Sequence, residues 1–357
     1  MRAMLLVNPK ATTTNARTRN VLIRALGAAV ELAVEETRYR GHAARLAATA
    51  RAKGYDVVAV LGGDGTINET VNGLLNPVNG EGPPVTAPLA ADPAPGAPTG
   101  PTSGPAIGPA TGPATGPAAD LVADPSRGRP ALIVIPGGSA NVFARALGLP
   151  NDPVEATGAV LEALREGRRR TVGLGRALWE GESRYFTFCA GMGYDAEVVR
   201  AVEGLRGTGR KATPARYVNM ALRHYLATDK RHAAMRLTGP GIPAAEGVFM
   251  AIISNTSPWT YVGAKPVRPT PWASFETGLD LLGLRRMGLT SLTPLIRHIL
   301  TESEVLPSGK HLVQLHDEAE FTLTADRPVA FQLDGDYLGE RESVTFRAIP
   351  NALQVLV

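Results

Sequence analysis

The sequence predicts an α/β protein with an N-terminal doubly wound parallel sheet domain and a C-terminal, mainly antiparallel β domain. Strand and helix patterns alternate up to about residue 147, as they do in parallel sheets. Beyond that point, short runs of alternating apolar and polar residues dominate, which is typical of antiparallel strands. The 357 residues also exceed the roughly 100–200 of a typical single domain. We therefore expect two domains, residues 1–147 and 148–357.

The N-terminal domain is predicted from four strands, each followed by a helix. Alanine, leucine and arginine favour the helices, and continuous apolar runs favour buried strands. The predicted strands are residues 3–7, 31–37, 56–61 and 131–135, and the predicted helices are 18–29, 43–52, 67–75 and 140–147.

One segment interrupts this pattern, residues 78–128, where a Gly-Pro step recurs in the run GPTSGPAIGPATGPATGPA. Proline at this density prevents both helix and sheet hydrogen bonding. We expect a disordered surface insertion, with a docking peptide for a partner as the alternative.

The C-terminal domain begins with a helix at residues 152–166 and continues mainly as strands. The predicted strands are 184–190, 247–254, 279–285, 320–323, 329–333, 344–348 and 353–357. Further helices are predicted at 196–203, 214–227 and 292–301.

Composition excludes several classes of protein. The single cysteine, Cys189, excludes an intramolecular disulfide framework and a cysteine-built zinc site. No apolar run reaches the roughly 18 residues that a transmembrane helix needs, and the N-terminus lacks a signal peptide, so we expect a cytoplasmic protein. A net charge of +4 permits contact with anionic surfaces but is too small to indicate nucleic acid as a partner.

The strand predicted at residues 56–61 ends in a glycine-rich turn, GGDGT, at residues 62–66. Glycines let backbone N–H groups approach a ligand, and the following helix adds the positive end of its dipole. Such a turn binds phosphate, although a tight strand-to-helix connection would also use glycines. Asp64 favours phosphate binding, because an acid there suits the handling of a metal ion or a proton. The turn is not a Walker A loop, since GxxxxGK[ST] occurs nowhere in the chain.

A second glycine-rich turn, PGGS at residues 136–139, follows the strand predicted at 131–135. Two such turns on neighbouring parallel strands would hold a nucleotide between them. Ser139 offers a hydroxyl group, and Asn141 offers an amide that could cap the next helix. At the end of the first strand, and hence at the same edge, stand Asn8, Pro9 and Lys10.

Five segments together resemble the diacylglycerol kinase catalytic family of bacterial lipid kinases, whose fold is related to those of NAD kinases and phosphofructokinases. They are LLVNPKAT, LGGDGTINETVNGL, IPGGSANVFARALGLP, FCAGMGYDAEVV and LDGDYLG. GGDGT alone would also suit an NAD kinase, but its combination with the second turn is specific. The segments extend from Leu5 to Gly339 and so cover nearly the whole chain outside the insertion.

The resemblance implies ATP as phosphate donor and Mg²⁺ as metal. It assigns nucleotide binding to a first loop, to one threonine after the second strand, to the main phosphate loop and to the second turn. The implied residues are Asn8, Pro9, Lys10, Ala11, Thr12, Thr37, Gly62, Gly63, Asp64, Gly65, Thr66, Ile67, Asn68 and Ser139.

The resemblance also implies catalytic and metal-binding residues. Asp334-Gly335-Asp336 matches the family's DGE, which supplies the catalytic acid or base, and Asp64 is a further candidate. Read without the resemblance, Asp-Gly is the favoured pair of an ordinary type I′ hairpin turn. Asp280 matches an aspartate at a structural Mg²⁺, with backbone carbonyls of Thr277 and Leu282 as further ligands.

Three positions depart from the family pattern. The first loop, NPKATTT, lacks the usual Ser-Gly; Val142 stands where an aspartate is usual; and Asp336 replaces glutamate. The valine removes an acid from the family's magnesium network, and Asp336 is one methylene shorter.

We expect an ATP- and Mg²⁺-dependent kinase that phosphorylates a lipid alcohol, with diacylglycerol as the first choice of acceptor. A kinase for a sphingoid base or an isoprenoid-type alcohol is one alternative, and a nucleotide-binding regulatory protein without turnover is another. A homodimer is left open.

A basic stretch suggests where the lipid is met. An amphipathic helix at 214–227 within it would lie on an anionic membrane surface, making the protein peripherally associated, or would pack between domains. The basic residues of the whole stretch are Arg206, Arg210, Lys211, Arg216, Arg223, Lys230 and Arg231.

Overall fold

The structure, a computed structural model, describes residues 1–11, 15–76, 128–207, 234–286, 288, 295, 297 and 304–357. All but residue 128 of the predicted insertion lies outside the described residues, as does the predicted helix 214–227. Of the predicted helix 292–301, only residues 295 and 297 are described, and both are helical.

The helices are α1 Ala16–Ala29, α2 His42–Ala52, α3 Asp64–Leu75, α4 Val142–Ala146, α5 Pro153–Glu166 and α6 Tyr194–Gly207. The strands are β1 Arg2–Val7, β2 Glu31–Glu36, β3 Val57–Gly62, β4 Ala131–Pro136, β5 Arg170–Trp179, β6 Glu182–Phe186, β7 Cys189–Gly193, β8 Met235–Gly239, β9 Ile242–Val248, β10 Met250–Ser254, β11 Thr260–Val262, β12 Lys265–Val267, β13 Leu279–Leu284, β14 Leu312–Glu318, β15 Glu320–Leu333 and β16 Asp336–Val355.

The N-terminal part contains the predicted parallel sheet. Its strands run in the order β2-β1-β3-β4, and each neighbouring pair is parallel. β3 and β4 are buried along their whole length, which explains their continuous apolar sequences. Helices α1 and α5 pack together, and so do α2 and α3. The predicted fold class, parallel α/β followed by mainly antiparallel β, is confirmed.

The C-terminal part is antiparallel, in the order β14-β13-β10-β7-β15-β16. Long strand β16 continues beyond this part and pairs in parallel with β4, through Val355 and Leu132. The two sheets are therefore one hydrogen-bonded surface. The core follows the same pattern, because Val160 of α5 and Leu353 and Val355 of β16 pack among the N-terminal strands.

The predicted strand 184–190 is wrong, because the chain forms two strands, β6 and β7, with a break between them. At the break, the backbone N–H groups of Thr187, Phe188 and Cys189 point to the carboxylate of Asp334 instead of a neighbouring strand. A side chain far away in sequence thus replaces the sheet hydrogen bonds, and the local sequence gives no sign of this.

Strand β5 was not predicted, because its two glycines are unfavourable in a strand. Tertiary contacts explain both. A Cβ at Gly173 would lie 2.6 Å from the carbonyl oxygen of Phe275, and one at Gly175 would overlap the ring of Phe186. Close packing therefore requires glycine at these two positions.

Two further predictions need correction. Helix α3 begins at Asp64, three residues before the predicted start at 67, so the glycine-rich turn is partly helical. The four short strands predicted between 320 and 357 are two long ones, β15 and β16, with register shifts where the sequence suggested loops. Among the described residues, no helix has the length and apolar character needed to cross a membrane.

Candidate active site

The two glycine-rich turns lie side by side at the carboxyl ends of β3 and β4. The backbone N–H of Gly137 donates to the carbonyl of Gly62 at 2.8 Å. A Cβ on Gly138 would lie 2.7 Å from the Cα of Gly63, and one on Gly137 would lie 2.9 Å from the Cα of Gly62. Since real Cβ atoms do not approach this closely, only glycine permits the contact. The predicted juxtaposition of the turns is confirmed, and it explains these glycines without a ligand.

Asp64 joins the turns through its side chain. Its Oδ1 accepts a hydrogen bond from the backbone N–H of Phe143 at 3.2 Å, in the first turn of α4. Burial raises the pKa of the Asp64 carboxyl to about 6, and the N–H groups of Phe143 and Val142 oppose the rise. The residue nevertheless keeps some accessible surface.

Asn141 does not cap the helix that follows it, contrary to prediction. Its Oδ1 accepts from the N–H of Gly138 at 2.8 Å, and its Nδ2 donates to the carbonyl of Gly138 and to Asn151. The amide therefore closes the second turn, while Asp64 accepts the helix N–H that a cap would bind.

The first loop contacts the main phosphate loop directly. The Nδ2 of Asn8 donates to Oγ1 of Thr66 at 3.0 Å, and Oδ1 of Asn8 accepts from the N–H of Lys10 at 2.9 Å. Thr37 lies at the same edge, since its N–H donates to the carbonyl of Val7. The carboxyl ends of β1, β2 and β3 therefore meet as the sequence predicted.

The remaining predicted nucleotide-binding residues are less uniform in position. Pro9, Lys10 and Ser139 have exposed or largely accessible side chains, Ala11 packs against the second turn, and Ile67 is fully buried in the core. Thr12 lies outside the described residues.

Asp336 faces the main phosphate loop from the C-terminal part. Its Oδ1 lies 3.6 Å from the position of a Cβ on Gly65. Its Oδ2 lies 3.3 Å from the guanidinium Nη2 of both Arg184 and Arg40. A carboxylate and two cations thus stand at the start of α3, where the helix dipole favours an anionic ligand.

Asp334 precedes this group in the tight turn between β15 and β16. Asp334 and Gly335 have φ of 49° and 80°, and Leu333 pairs with Asp336, which is the geometry of a type I′ turn. The side chain of Asp334 is buried, and burial raises its pKa. Its oxygens accept hydrogen bonds from the N–H groups of residues 187, 188 and 189, from the Thr187 hydroxyl and from Asn68.

Asn68 connects the carboxylates of the turn to helix α3. Its Nδ2 donates to Oδ2 of Asp334 at 2.7 Å and to the carbonyl of Tyr185 at 2.9 Å. Its Oδ1 accepts from Nε and Nη2 of Arg184 at 2.8 and 2.6 Å. Asn68 is fully buried and therefore links the two halves of the site, with no surface left for a nucleotide.

Arg40, Arg184 and Glu69 are part of the site although the sequence did not indicate them. The Oε1 of Glu69 accepts from the N–H of Gly41 at 2.7 Å, which fixes the loop that carries Arg40. Burial raises the pKa of the Glu69 carboxyl, and the positive charge of Arg184 opposes the rise. The only available sequence signal was the TRYRGHA run, in which Arg40 stands next to a helix start.

The predicted structural metal site lies elsewhere in the fold. Asp280 is on β13, and β10 and β7 separate that strand from β15. Its Oδ1 accepts from the N–H of Asp317 and lies 2.8 Å from Nδ1 of His316, while its Oδ2 is buried without a hydrogen-bond partner. Burial raises the pKa of this carboxyl.

An unpaired buried carboxylate oxygen suits a hard cation such as Mg²⁺. Asp280 would hold the ion, with the carbonyls of Thr277 and Leu282 on the same chain segment as the predicted partners. Among the described residues, no group of three or more His, Cys, Asp and Glu side chains forms a richer cluster.

At the phosphate loops, the candidate magnesium ligand is Asp64. Val142, which is 2% exposed, supplies no oxygen atom where the family pattern has an acid. At the phosphate loops the chain therefore offers the backbone N–H groups at the start of α3, the accessible carboxylate of Asp336 and the guanidinium groups of Arg40 and Arg184.

Comparison of the sequence with protein families supports a specific relationship. The model of the family described as diacylglycerol kinase catalytic domain matches residues 2–91 and 115–177. The unmatched residues between these segments, 92–114, fall inside the predicted insertion 78–128. The match includes the first loop, both glycine-rich turns and Asp64.

Two curated proteins are similar to part of the chain. A diacylglycerol kinase of Staphylococcus saprophyticus subsp. saprophyticus is 27% identical over 179 residues, which are 50% of this chain and 40% of that protein. A YegS-like lipid kinase of Chromohalobacter salexigens is 31% identical over 184 residues, 51% of this chain and 41% of that protein. The match spans about two fifths of the length of each relative.

A solved structure shows the same fold over the whole chain. The crystal structure of a diacylglycerol kinase from Bacillus anthracis str. Sterne superposes with a TM-score of 0.63 and 18% identity, covering 99% of this chain and 96% of the other. The likeness extends the common fold to the C-terminal part, which the family model does not match.

Proposed function

Because the model of the diacylglycerol kinase catalytic domain family matches residues 2–91 and 115–177, we propose that this protein belongs to that family and is an ATP- and Mg²⁺-dependent lipid kinase. It transfers the γ-phosphoryl group of ATP to the hydroxyl group of a lipid alcohol, and diacylglycerol, the first choice, would give phosphatidic acid. The observation that carries the proposal is the approach of Asp336 to Gly65, which brings an accessible carboxylate to the start of the phosphate-loop helix.

The phosphate side of the reaction belongs to the loops. The N–H groups of Asp64 and Gly65 begin α3, and N–H groups at a helix start favour an anion there. Asn8 and Thr66 hold the first loop against this helix, and the helix dipole adds to the attraction of the triphosphate. Mg²⁺, when bound, would neutralise charge on the phosphates, with Asp64 as its candidate ligand.

The acceptor side belongs to Asp336. The lipid hydroxyl oxygen forms a bond to the γ-phosphorus while the bond from that phosphorus to the β,γ-bridging oxygen breaks, and ADP leaves. The hydroxyl proton passes to the Asp336 carboxylate, which acts as general base late in a loose transition state. Arg40, beside the same carboxylate, can stabilise negative charge on the transferred group.

The other two carboxylates have different tasks in this proposal. Asp334 accepts so many hydrogen bonds within the fold that it serves to hold the turn rather than to take the hydroxyl proton. Asp64 fixes the second turn through Phe143 and lies close enough to the loop to affect bound phosphate.

The decisive experiment incubates the full chain with γ-labelled ATP, Mg²⁺ and a panel of lipid alcohols in mixed micelles. Label in phosphatidic acid supports diacylglycerol as acceptor, and label in another lipid phosphate identifies a different lipid alcohol. Asp336→Asn, purified in the same way, controls for contaminating kinases. ATP binding without lipid-dependent release of ADP would instead indicate a nucleotide-binding regulatory protein.

A further inference from the structure

Arg184 of β6 is held beside Asp336 by the interior of the protein. Its side chain is 12% exposed, and both Nε and Nη2 donate to the buried Oδ1 of Asn68. A guanidinium fixed through two of its nitrogens has little freedom to rotate. Its Nη2 reaches Oδ2 of Asp336 at 3.3 Å from that fixed position.

The anchoring extends through Asn68 to the backbone of the C-terminal part. Asn68 also donates to Asp334, whose carboxylate accepts the N–H groups between β6 and β7. The bonds thus run from the β6–β7 break through Asp334, Asn68 and Arg184 to Asp336. They connect the phosphate-loop helix α3 with the turn that carries the candidate base.

Arg40 makes a similar contact with Asp336 but is held differently. Its side chain is 47% exposed, against 12% for Arg184. Exposed ion pairs contribute little to stability, so Arg40 can exchange Asp336 for a phosphate at little cost. Arg184 cannot leave without breaking both of its hydrogen bonds to the buried Oδ1 of Asn68, which would keep only the 3.2 Å hydrogen bond from Asn72.

We propose that Arg184 is a positioning residue that fixes the Asp336 carboxylate, so that Oδ1 faces Gly65 and takes the proton of the lipid hydroxyl. The inference rests on the kinase function proposed above. Arg184 engages Oδ2 and so leaves Oδ1 as the oxygen nearer to the Cβ position of Gly65, at 3.6 Å against 3.9 Å for Oδ2. A fixed orientation matters for this chain because aspartate is shorter than the glutamate of the family and tolerates less rotation.

The test compares Arg184→Gln and Arg184→Lys with Arg176→Gln as a matched control. Arg176 lies opposite Tyr185 on the paired strand β5, and its Nη2 donates to the Ser183 hydroxyl, not to the site. We expect Arg184→Gln to lower kcat about 10²-fold, the cost of small misplacements of a reacting group. The KM for ATP should change by no more than about threefold, because the hydrogen bonds of Arg184 go to Asn68 and Asp336 and not to either glycine-rich turn.

Arg184→Lys should recover part of kcat, because the lysine side chain can restore the positive charge near Asp336 but only one of the contacts to Asn68. Thermal melting of each variant checks that it is folded. A melting temperature well below that of Arg176→Gln, with kcat and KM changing together in both Arg184 variants, would overturn the inference.

A double-mutant cycle with Asp336→Asn separates positioning from general stability. If Arg184 acts through Asp336, Arg184→Gln should have almost no further effect on kcat once the carboxylate is gone. Fully additive losses would overturn the inference. Failure of the kinase proposal would look different, because the wild-type protein itself would then phosphorylate no lipid.

Discussion

The carboxylate of Asp64 accepts a hydrogen bond from the backbone N–H of Phe143 at 3.2 Å. This bond joins the two glycine-rich turns at the point where Val142 replaces the usual acid of the family. The carboxylate of Asp64 is thus bound to protein on one side, and the neighbouring Val142 adds no acid.

Asp64→Asn should separate activity from stability. The asparagine oxygen can still accept the N–H of Phe143, so the melting temperature should stay close to that of the wild type. The lost charge should cut phosphoryl transfer at least about 10²-fold, as removal of a positioned catalytic group does. Lipid phosphorylation and thermal melting are measured together. Activity within a few-fold of wild type would show that Asp64 serves only to join the turns.

Gly138→Ala should disrupt the contact between the turns. The new methyl group would lie 2.7 Å from the Cα of Gly63, so one turn must move. We expect a loss of ATP affinity and a destabilisation of about 1–3 kcal/mol, as for other overpacked sites. Gly158→Ala is the control, because Gly158 lies in α5 with open space around it and alanine there should stabilise by about 0.5–1 kcal/mol. Isothermal titration and denaturant unfolding provide the two readouts, and equal behaviour of the variants would contradict the packing explanation.

Asp334→Ala should damage the fold more than any exposed substitution nearby. It leaves the N–H groups of residues 187–189 and the amide of Asn68 without their acceptor. Each unsatisfied buried group costs about 1–3 kcal/mol, so we expect a loss of at least about 3 kcal/mol. Asp326→Ala on the same strand, where the side chain is 66% exposed, should stay within about 0.5 kcal/mol. Urea denaturation measures the free energy of unfolding of both variants. A small effect at Asp334 would mean that the N–H groups find other partners.

Asp195→Asn should change how stability depends on pH. Asp195 is buried on α6, bonded to Nε2 of Gln332 at 2.9 Å, and burial raises its pKa from 3.8 to about 6. Since the folded state binds this proton more tightly than the unfolded state, the free energy of unfolding falls as pH rises from about 4 to 6.

The asparagine keeps the acceptor for Gln332 without the charge. At pH 8 the variant should therefore be more stable than wild type by about 1–3 kcal/mol, an advantage that disappears below about pH 4. Unfolding by urea across this range measures it. A constant difference at all pH values would show that Asp195 does not titrate there.

Charge reversal of Arg206, Arg210 and Lys211 should weaken binding to vesicles rich in anionic lipid. The proposal is based on sequence, since each basic residue near such a surface contributes about 1 kcal/mol. Sedimentation should show binding that falls with rising salt, while ATP affinity is unchanged. Reversal of Arg17 and Arg24 on helix α1 is the control. If both variants sediment like wild type, the basic stretch does not bind the membrane.

Local patterns were sufficient to predict the parallel sheet and the meeting of its turns. Gly62 and Gly138 follow buried strands, and the carboxyl ends of neighbouring parallel strands share an edge. The type I′ turn was also readable, because Asp334-Gly335 is the preferred pair for it.

The partners of these residues could not be predicted, because they come from distant parts of the chain. Arg184 approaches Asp336 only because β6 pairs with β5 and β5 in turn pairs with β16. Likewise, the break between β6 and β7 depends on Asp334, which lies about 150 residues further on. A local sequence pattern cannot predict such long-range contacts. The two arginines of the site and the break between β6 and β7 could therefore be found only from the structure.

The pairing of Val355 with Leu132 has a consequence for how the protein is made. The outer edge of β4 is covered by a strand segment that is synthesised about 220 residues later. Until then the N-terminal sheet has an open edge, the kind of surface that recruits other chains. A ribosome adding about 5–20 residues per second needs at least ten seconds to translate the intervening part. The nascent chain should therefore depend on chaperones during that interval, and fragments that end near residue 147 should aggregate.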